Sequence, residues 1–204
     1  VVTAAATAVG GYAVKIGTDF QQSSNSIAAS VGLSKEQMGG FKDIMKDIYA
    51  DNYGESFQDI ADSISTVAQS AKTLDPSEIK GLTVNAMALK DTFGYDIQES
   101  MRAVNMLTEQ FGMSGKEAFN LISQGAQQGL DKNGDLLDSI NEYSVHFNQI
   151  GISAESMFNM LLNGTASGTF SVDKLGDAVK EFGIRVKDGT GDEAFKTLGL
   201  SVDA

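Results

Sequence analysis

The sequence predicts an all-α protein, on three observations. Proline occurs once in 204 residues, whereas turns and loops usually draw on it more often. Apolar residues recur at steps of three and four, and no stretch sustains an alternation of period two. A turn made of glycine, an apolar residue and a capping side chain also recurs, ready each time to end one helix and begin the next. These spacings predict about nine short-to-medium helices, mostly about 10–18 residues long, in hairpins joined by Gly/Ser turns.

The first element is Ala/Gly-rich, VVTAAATAVGGYAV, and residues 1–14 carry no charge. The run is shorter than the roughly 20 residues that span a bilayer, and it lacks the basic flank of a signal peptide. Small residues four apart, Ala6 with Gly10 and Ala13 with Gly17, would let another helix approach closely. The expectation is an Ala/Gly-rich helix over residues 1–31 that continues a longer helix upstream, because the chain starts without an initiator methionine. A compact helical domain is expected over residues 32–204.

The recurring turn reads GLSKEQ at Gly32, GYDIQE at Gly94, GMSGKE at Gly112 and GISAES at Gly151. Glycine accepts the left-handed conformation that closes a helix. Ser34, Asp96, Ser114 and Ser153 then sit where a side chain can accept the orphan N–H groups of the following helix. Gln37, Glu99 and Glu117 complete capping boxes, while Ser156 makes the fourth box weaker. DPSE at Asp75 is a fifth start, with Pro76 at the first helical position.

Between these turns, Phe41, Ile44, Met45, Ile48 and Tyr49 form one apolar stripe, and Phe57, Ile60, Ala61, Ile64, Val67 and Ala71 form the next. Ile79, Leu82, Ala86, Leu89 and Phe93 make a coiled-coil-like seam. Ile97, Met101, Val104, Leu107 and Phe111 continue the pattern, as do Leu136, Ile140, Tyr143, Phe147 and Ile150.

Composition narrows the function. With 27 acidic and 15 basic side chains the net charge is −12, which disfavours binding to duplex nucleic acid and suits solubility. No cysteine is present, so thiolate zinc sites, disulfides and cysteine nucleophiles are excluded.

Two stretches imitate binding motifs. DKNGDLLDSINEY, from Asp131 to Tyr143, places Asp131, Asn133 and Asp135 at positions 1, 3 and 5 of a calcium loop, and Glu142 at position 12. Position 6 needs glycine and holds Leu136, and the apolar position 8 holds Asp138. The residues fit better as a helix end at Gly129, an Asn133-Gly134 turn and a new helix capped by Asp135. In GIRVKDGTGDEAF, Ile184–Lys187 could form a short strand before the loose dinucleotide pattern of Gly189 and Gly191. Asp192 and Glu193 would repel a pyrophosphate there, so a glycine-rich turn before a short helix is expected.

His146, the one histidine, lies one step off the inward stripe of its helix and is expected to be structural. No catalytic, cofactor-binding or metal residue is singled out; a glycosidase needs only two carboxylates, and no pair among the acids stands out.

The run from Gly17 to Val67 resembles the core of phage tail tape measure proteins. It carries Asp19-Phe20, Gly32-Leu33-Ser34, Ile48-Tyr49-Ala50 and Gly54-Glu55-Ser56 in the family's order. A second block, Gly134 to Leu200, is similar to the same family, particularly to members from phages and prophages of Gram-positive hosts. Its words are GDLLDSINEYSVHF, VDKLGDAVKEFGIRVKDGT and EAFKTLGL.

The resemblance implies a structural virion protein, without enzymatic activity, that templates tail assembly and length and is released during DNA delivery. It implies tail tube and tail tip proteins, tail assembly chaperones and further copies of the chain as partners, with no sequence-specific nucleic-acid binding. The implied location is the tail tube lumen or tail tip, and the host cytoplasm during assembly, with host membrane contact on ejection. The alternative is a membrane-active helical protein that forms, or helps form, a channel for DNA entry. A ruler gains most from long unbroken helices at about 1.5 Å per residue. The frequent glycine turns therefore suggest a compact docking or initiation domain.

Overall fold

The four turn glycines, Gly32, Gly94, Gly112 and Gly151, all adopt positive φ between 69° and 77°. Each ends a helix, and the residue two places on caps the next, which starts one residue later, so turn chemistry sets the element boundaries. In the computed structural model, residues 2–166 and 171–197 are described, with the side chains of 2–14 and 195 outside that description. Among the described residues the chain forms ten helices and no strand. They are α1 (Val2–Val31), α2 (Lys35–Ala50), α3 (Phe57–Ser70), α4 (Pro76–Phe93) and α5 (Ile97–Phe111), then α6 (Gly115–Gln127), α7 (Leu136–Gln149), α8 (Ala154–Ala166), α9 (Val172–Asp188) and α10 (Asp192–Thr197).

The predicted capping side chains are engaged at all five starts. At α2 the Gln37 amide N–H donates to Ser34 Oγ at 3.4 Å, and the Ser34 N–H donates to Gln37 Oε1 at 3.0 Å. At α6 the reciprocal pair joins Ser114 and Glu117, at 3.2 and 2.7 Å. Asp96 accepts from the Glu99 N–H, and Asp75 accepts from the N–H groups of Ser77 and Glu78. At α8 Ser153 Oγ accepts from the Ser156 N–H at 3.2 Å, and the Ser153 hydroxyl itself meets Ser156 Oγ.

Two units divide the chain, residues 1–101 and 102–204, with the division inside α5. In the first, α1 and α3 run parallel. Phe20 meets Phe57 with ring centroids 5.3 Å apart, Ser23 reaches Gln58, and the Ser30 carbonyl accepts from Gln69. α2 packs against both, and α4 packs against α2 and α3. The core holds Ile27, Phe41, Met45, Ile48, Ile60, Ile64, Val67 and Ile79.

The second unit repeats the parallel pair and its intervening helix. α7 and α9 run parallel, α8 packs against both, and α6 packs against α8. Its core holds Leu107, Phe119, Ile122, Leu136, Ile140, Phe147, Met157 and Phe158.

Three expectations are corrected by packing. Tyr49 does not join the core: it is 46 % exposed and lies on the Phe57 ring at 4.3 Å between centroids. In α4 the buried face is Ile79, Thr83, Ala86, Met87 and Leu89, while Leu82 and Phe93 are half-buried. Asp135 stands at the start of α7 but makes no side-chain capping bond. Asp131 does this instead, its Oδ1 accepting from the Leu136 N–H at 3.0 Å.

Serine enters the core where apolar spacing alone would not place it. Ser24, Ser65 and Ser144 are buried and donate to the carbonyls of Phe20, Ala61 and Ile140, four residues back, at 2.6–2.7 Å. A hydroxyl satisfied within its own helix costs little to bury.

Candidate functional site

The sequence offers DKNGD and GTG as candidate sites, and the structure gives both a local structural role. Gly129 (φ 87°) follows the end of α6, and Gly134 (φ 71°) closes the turn before α7. Leu136 is fully buried at the first position of α7, and Asp138 and Glu142 lie on the exposed face. Glu142 is engaged by Lys180 at 3.1 Å. Among the described residues, no group of three or more histidine or acidic side chains is placed to hold a metal ion.

Ile184–Lys187 belongs to α9, and GTGDEAF is a turn followed by α10, so no strand precedes the glycines. The end of the second tape-measure-like block, Leu198 to Leu200, lies outside the described residues. His146 is half-buried in the last turn of α7.

Among the described residues, the closest approach of a side chain to a glycine lies in the seam between α7 and α9. A Cβ added at Gly176 would overlap the Tyr143 ring, and one at Gly183 would stand 3.3 Å from Ile150 Cγ2. The Tyr143 hydroxyl donates to Asp173 Oδ1 at 2.8 Å. Lys180 donates to Glu142 and lies 5.9 Å from the Tyr143 ring centroid, and Lys187 donates to Gln149 Oε1 at 3.1 Å. Burial, then the Asp173 carboxylate, pushes the Tyr143 phenol above its ordinary range. The Glu142 hydrogen bond raises Lys180.

Four members of this seam are matched by a seam residue seven positions on. Gly176 and Lys180 are followed by Gly183 and Lys187, and Glu142 and Tyr143 by Gln149 and Ile150. The sequence reading placed Tyr143 inward but assigned no role to these glycines. Their spacing within an amphipathic helix was the signal available, because glycine there is worth about 1 kcal/mol less than alanine unless something packs on it.

In the first unit, a cleft of about 330 Å³ opens beside the Phe20–Phe57–Tyr49 cluster, lined by Ile16, Asp19, Gln22, Tyr49, Phe57 and Gln58. Lys46 lies 5.6 Å from the centroid of the Phe20 ring. Among the described residues, no helix is long and apolar enough to cross a membrane.

The two tape-measure-like blocks coincide with the two parallel-helix assemblies. Gly17–Val67 covers the second half of α1 together with α2 and much of α3, and Gly134–Leu200 covers α7 to α10. The chain is 38 % identical over 63 residues to a protein described as a probable tape measure protein of Streptomyces phage phiC31. The match takes in 30 % of this chain and 9 % of the phage protein. No solved structure matches. The family model described as phage-related minor tail protein matches residues 49–204, more than half of the sequence and the whole of α3 to α10. The chain therefore belongs to the phage-related minor tail protein family.

Proposed function

We propose that this chain is part of a tape measure protein, a non-enzymatic virion component that templates tail assembly and length and leaves the tail during DNA delivery. The similarity to the phiC31 protein carries this reading. Its partners are then tail tube and tail tip proteins, tail assembly chaperones and further copies of the chain. Its location is the tube lumen or tip, and the host cytoplasm during assembly, with host membrane contact on ejection.

Within such a protein, the parallel-helix assemblies favour a compact domain over an extended measuring segment. A helical ruler gains about 1.5 Å per residue only while its helices do not fold back on one another. The test is tail length by electron microscopy after in-frame deletion of residues 114–163 from the parent protein. An extended segment would shorten tails by about 75 Å at the helical rise. A compact assembly domain predicts tails of unchanged length with impaired delivery, or no tails. Phage with normal tails and full infectivity after the deletion would overturn a tail role for this region.

A further inference from the structure

α9 is held to the second unit differently from its neighbours. Its 17 residues bury one apolar side chain, Val172, and otherwise Gly176 and Gly183. By contrast α7 buries Leu136, Leu137, Ile140, Tyr143 and Phe147, and α8 buries Ala154, Met157, Phe158 and Leu161. Leu175, Val179 and Val186 of α9 are half-buried, and Ile184 is 43 % exposed.

What α9 offers α7 is mainly backbone and polar contact. Gly176 and Gly183 let its main chain approach Tyr143 and Ile150. The remaining ties are Tyr143–Asp173, Lys180–Glu142 and Lys187–Gln149. The Glu142 and Lys180 side chains are 53 % and 30 % exposed, so water and salt weaken that pair. Towards α8 the anchor is Leu175, which lies against Gly164. Segments with few buried apolar contacts and exposed polar ties open at lower free energy than the core around them.

We infer that α9 is a detachable strap on α7, one that lifts while α6, α7 and α8 stay packed. Lifting it uncovers Tyr143 and Ile150, seven residues apart, the first on α7 and the second capping its C-terminus. Each glycine of α9 faces one side chain across the seam, Gly176 facing Tyr143 and Gly183 facing Ile150. This inference is independent of the tail-measuring role.

Hydrogen–deuterium exchange on the whole chain, read by mass spectrometry, tests it. Amides of residues 176–188 are expected to exchange on the order of tenfold or more faster than those of residues 140–147, through an opening that spares α7. Equal protection of α7 and α9, lost together, would overturn the strap. Gly176→Ala, which sets a methyl group into the Tyr143 ring, supplies the second reading. Loss of protection confined to α9 supports the strap. Loss shared by residues 118–122 and 154–161, or no change anywhere, would overturn it.

Discussion

The Tyr143 ring occupies the space that a Cβ of residue 176 would need, and its hydroxyl donates to Asp173, one turn earlier on the same helix. A single side chain of α7 thus meets α9 through both shape and charge. Alanine at position 176 would gain up to about 1 kcal/mol of helix propensity and lose about 1–3 kcal/mol to overpacking. Gly176→Ala is therefore expected to lower the urea midpoint. A midpoint at or above the wild-type value would show that the Tyr143 ring moves aside at no cost.

Gly81 provides the opposite case. It lies in the middle of α4, exposed, and an added Cβ would meet nothing within 4 Å. Gly81→Ala should stabilise the protein by about 0.5–1 kcal/mol, because only the propensity term remains. Thermal unfolding of the variant would check this, and a lower Tm would point to an unrecognised contact at that face.

Tyr143→Phe keeps the ring and removes the hydroxyl that Asp173 accepts. The expected cost is about 1–2 kcal/mol, since the bond is to a charged acceptor. The folded-state pKa of Tyr143 is raised above 10.0 by burial and by Asp173. The stabilisation is therefore full below the unfolded value and lost as pH rises through the folded one. Ultraviolet titration should show one phenol ionising after the others in wild type, and that late step should vanish in Tyr143→Phe.

The α6 cap should weaken in acid. Hydrogen bonds from Ser114 hold the Glu117 carboxyl below its ordinary value of 4.5. Its contribution is present above that value and is lost as pH falls through the lower folded value. Stability of wild type relative to Glu117→Gln should be constant near neutrality and fall between about pH 5 and pH 3. A difference that does not change with pH would mean the carboxylate charge adds nothing to the cap.

Lys90 bridges α4 to α3, with Nζ 2.9 Å from Asp59 Oδ1. The side chains are 43 % and 28 % exposed, so the pair should be worth no more than about 1 kcal/mol and be screened by salt. Lys90→Met is expected to cost that amount in low salt and almost nothing at about 1 M salt. A loss that persists in high salt would place the effect in packing of the lysine stem.

The sequence by itself determined the helical class and most element boundaries, because these depend on neighbours three to five residues apart. Gly32 with Ser34, Gly112 with Ser114 and Asp75 with Pro76 act through their own backbone, and each formed the cap its spacing predicts. The failure of the DKNGD stretch to fit a calcium loop was equally local, since Leu136 occupies the position that needs glycine.

Tertiary structure decided which faces are buried and how the helices pair. Tyr49 stays outside because Phe57 offers it a ring at the surface. Thr83 goes inside because its hydroxyl is satisfied by the Ile79 carbonyl at 2.8 Å. Gly176 matters only because α7, more than thirty residues earlier, brings Tyr143 onto it. Periodicity along one helix carries no information about the partner lying across from it. The parallel pairing of α1 with α3 and of α7 with α9 became visible only in three dimensions.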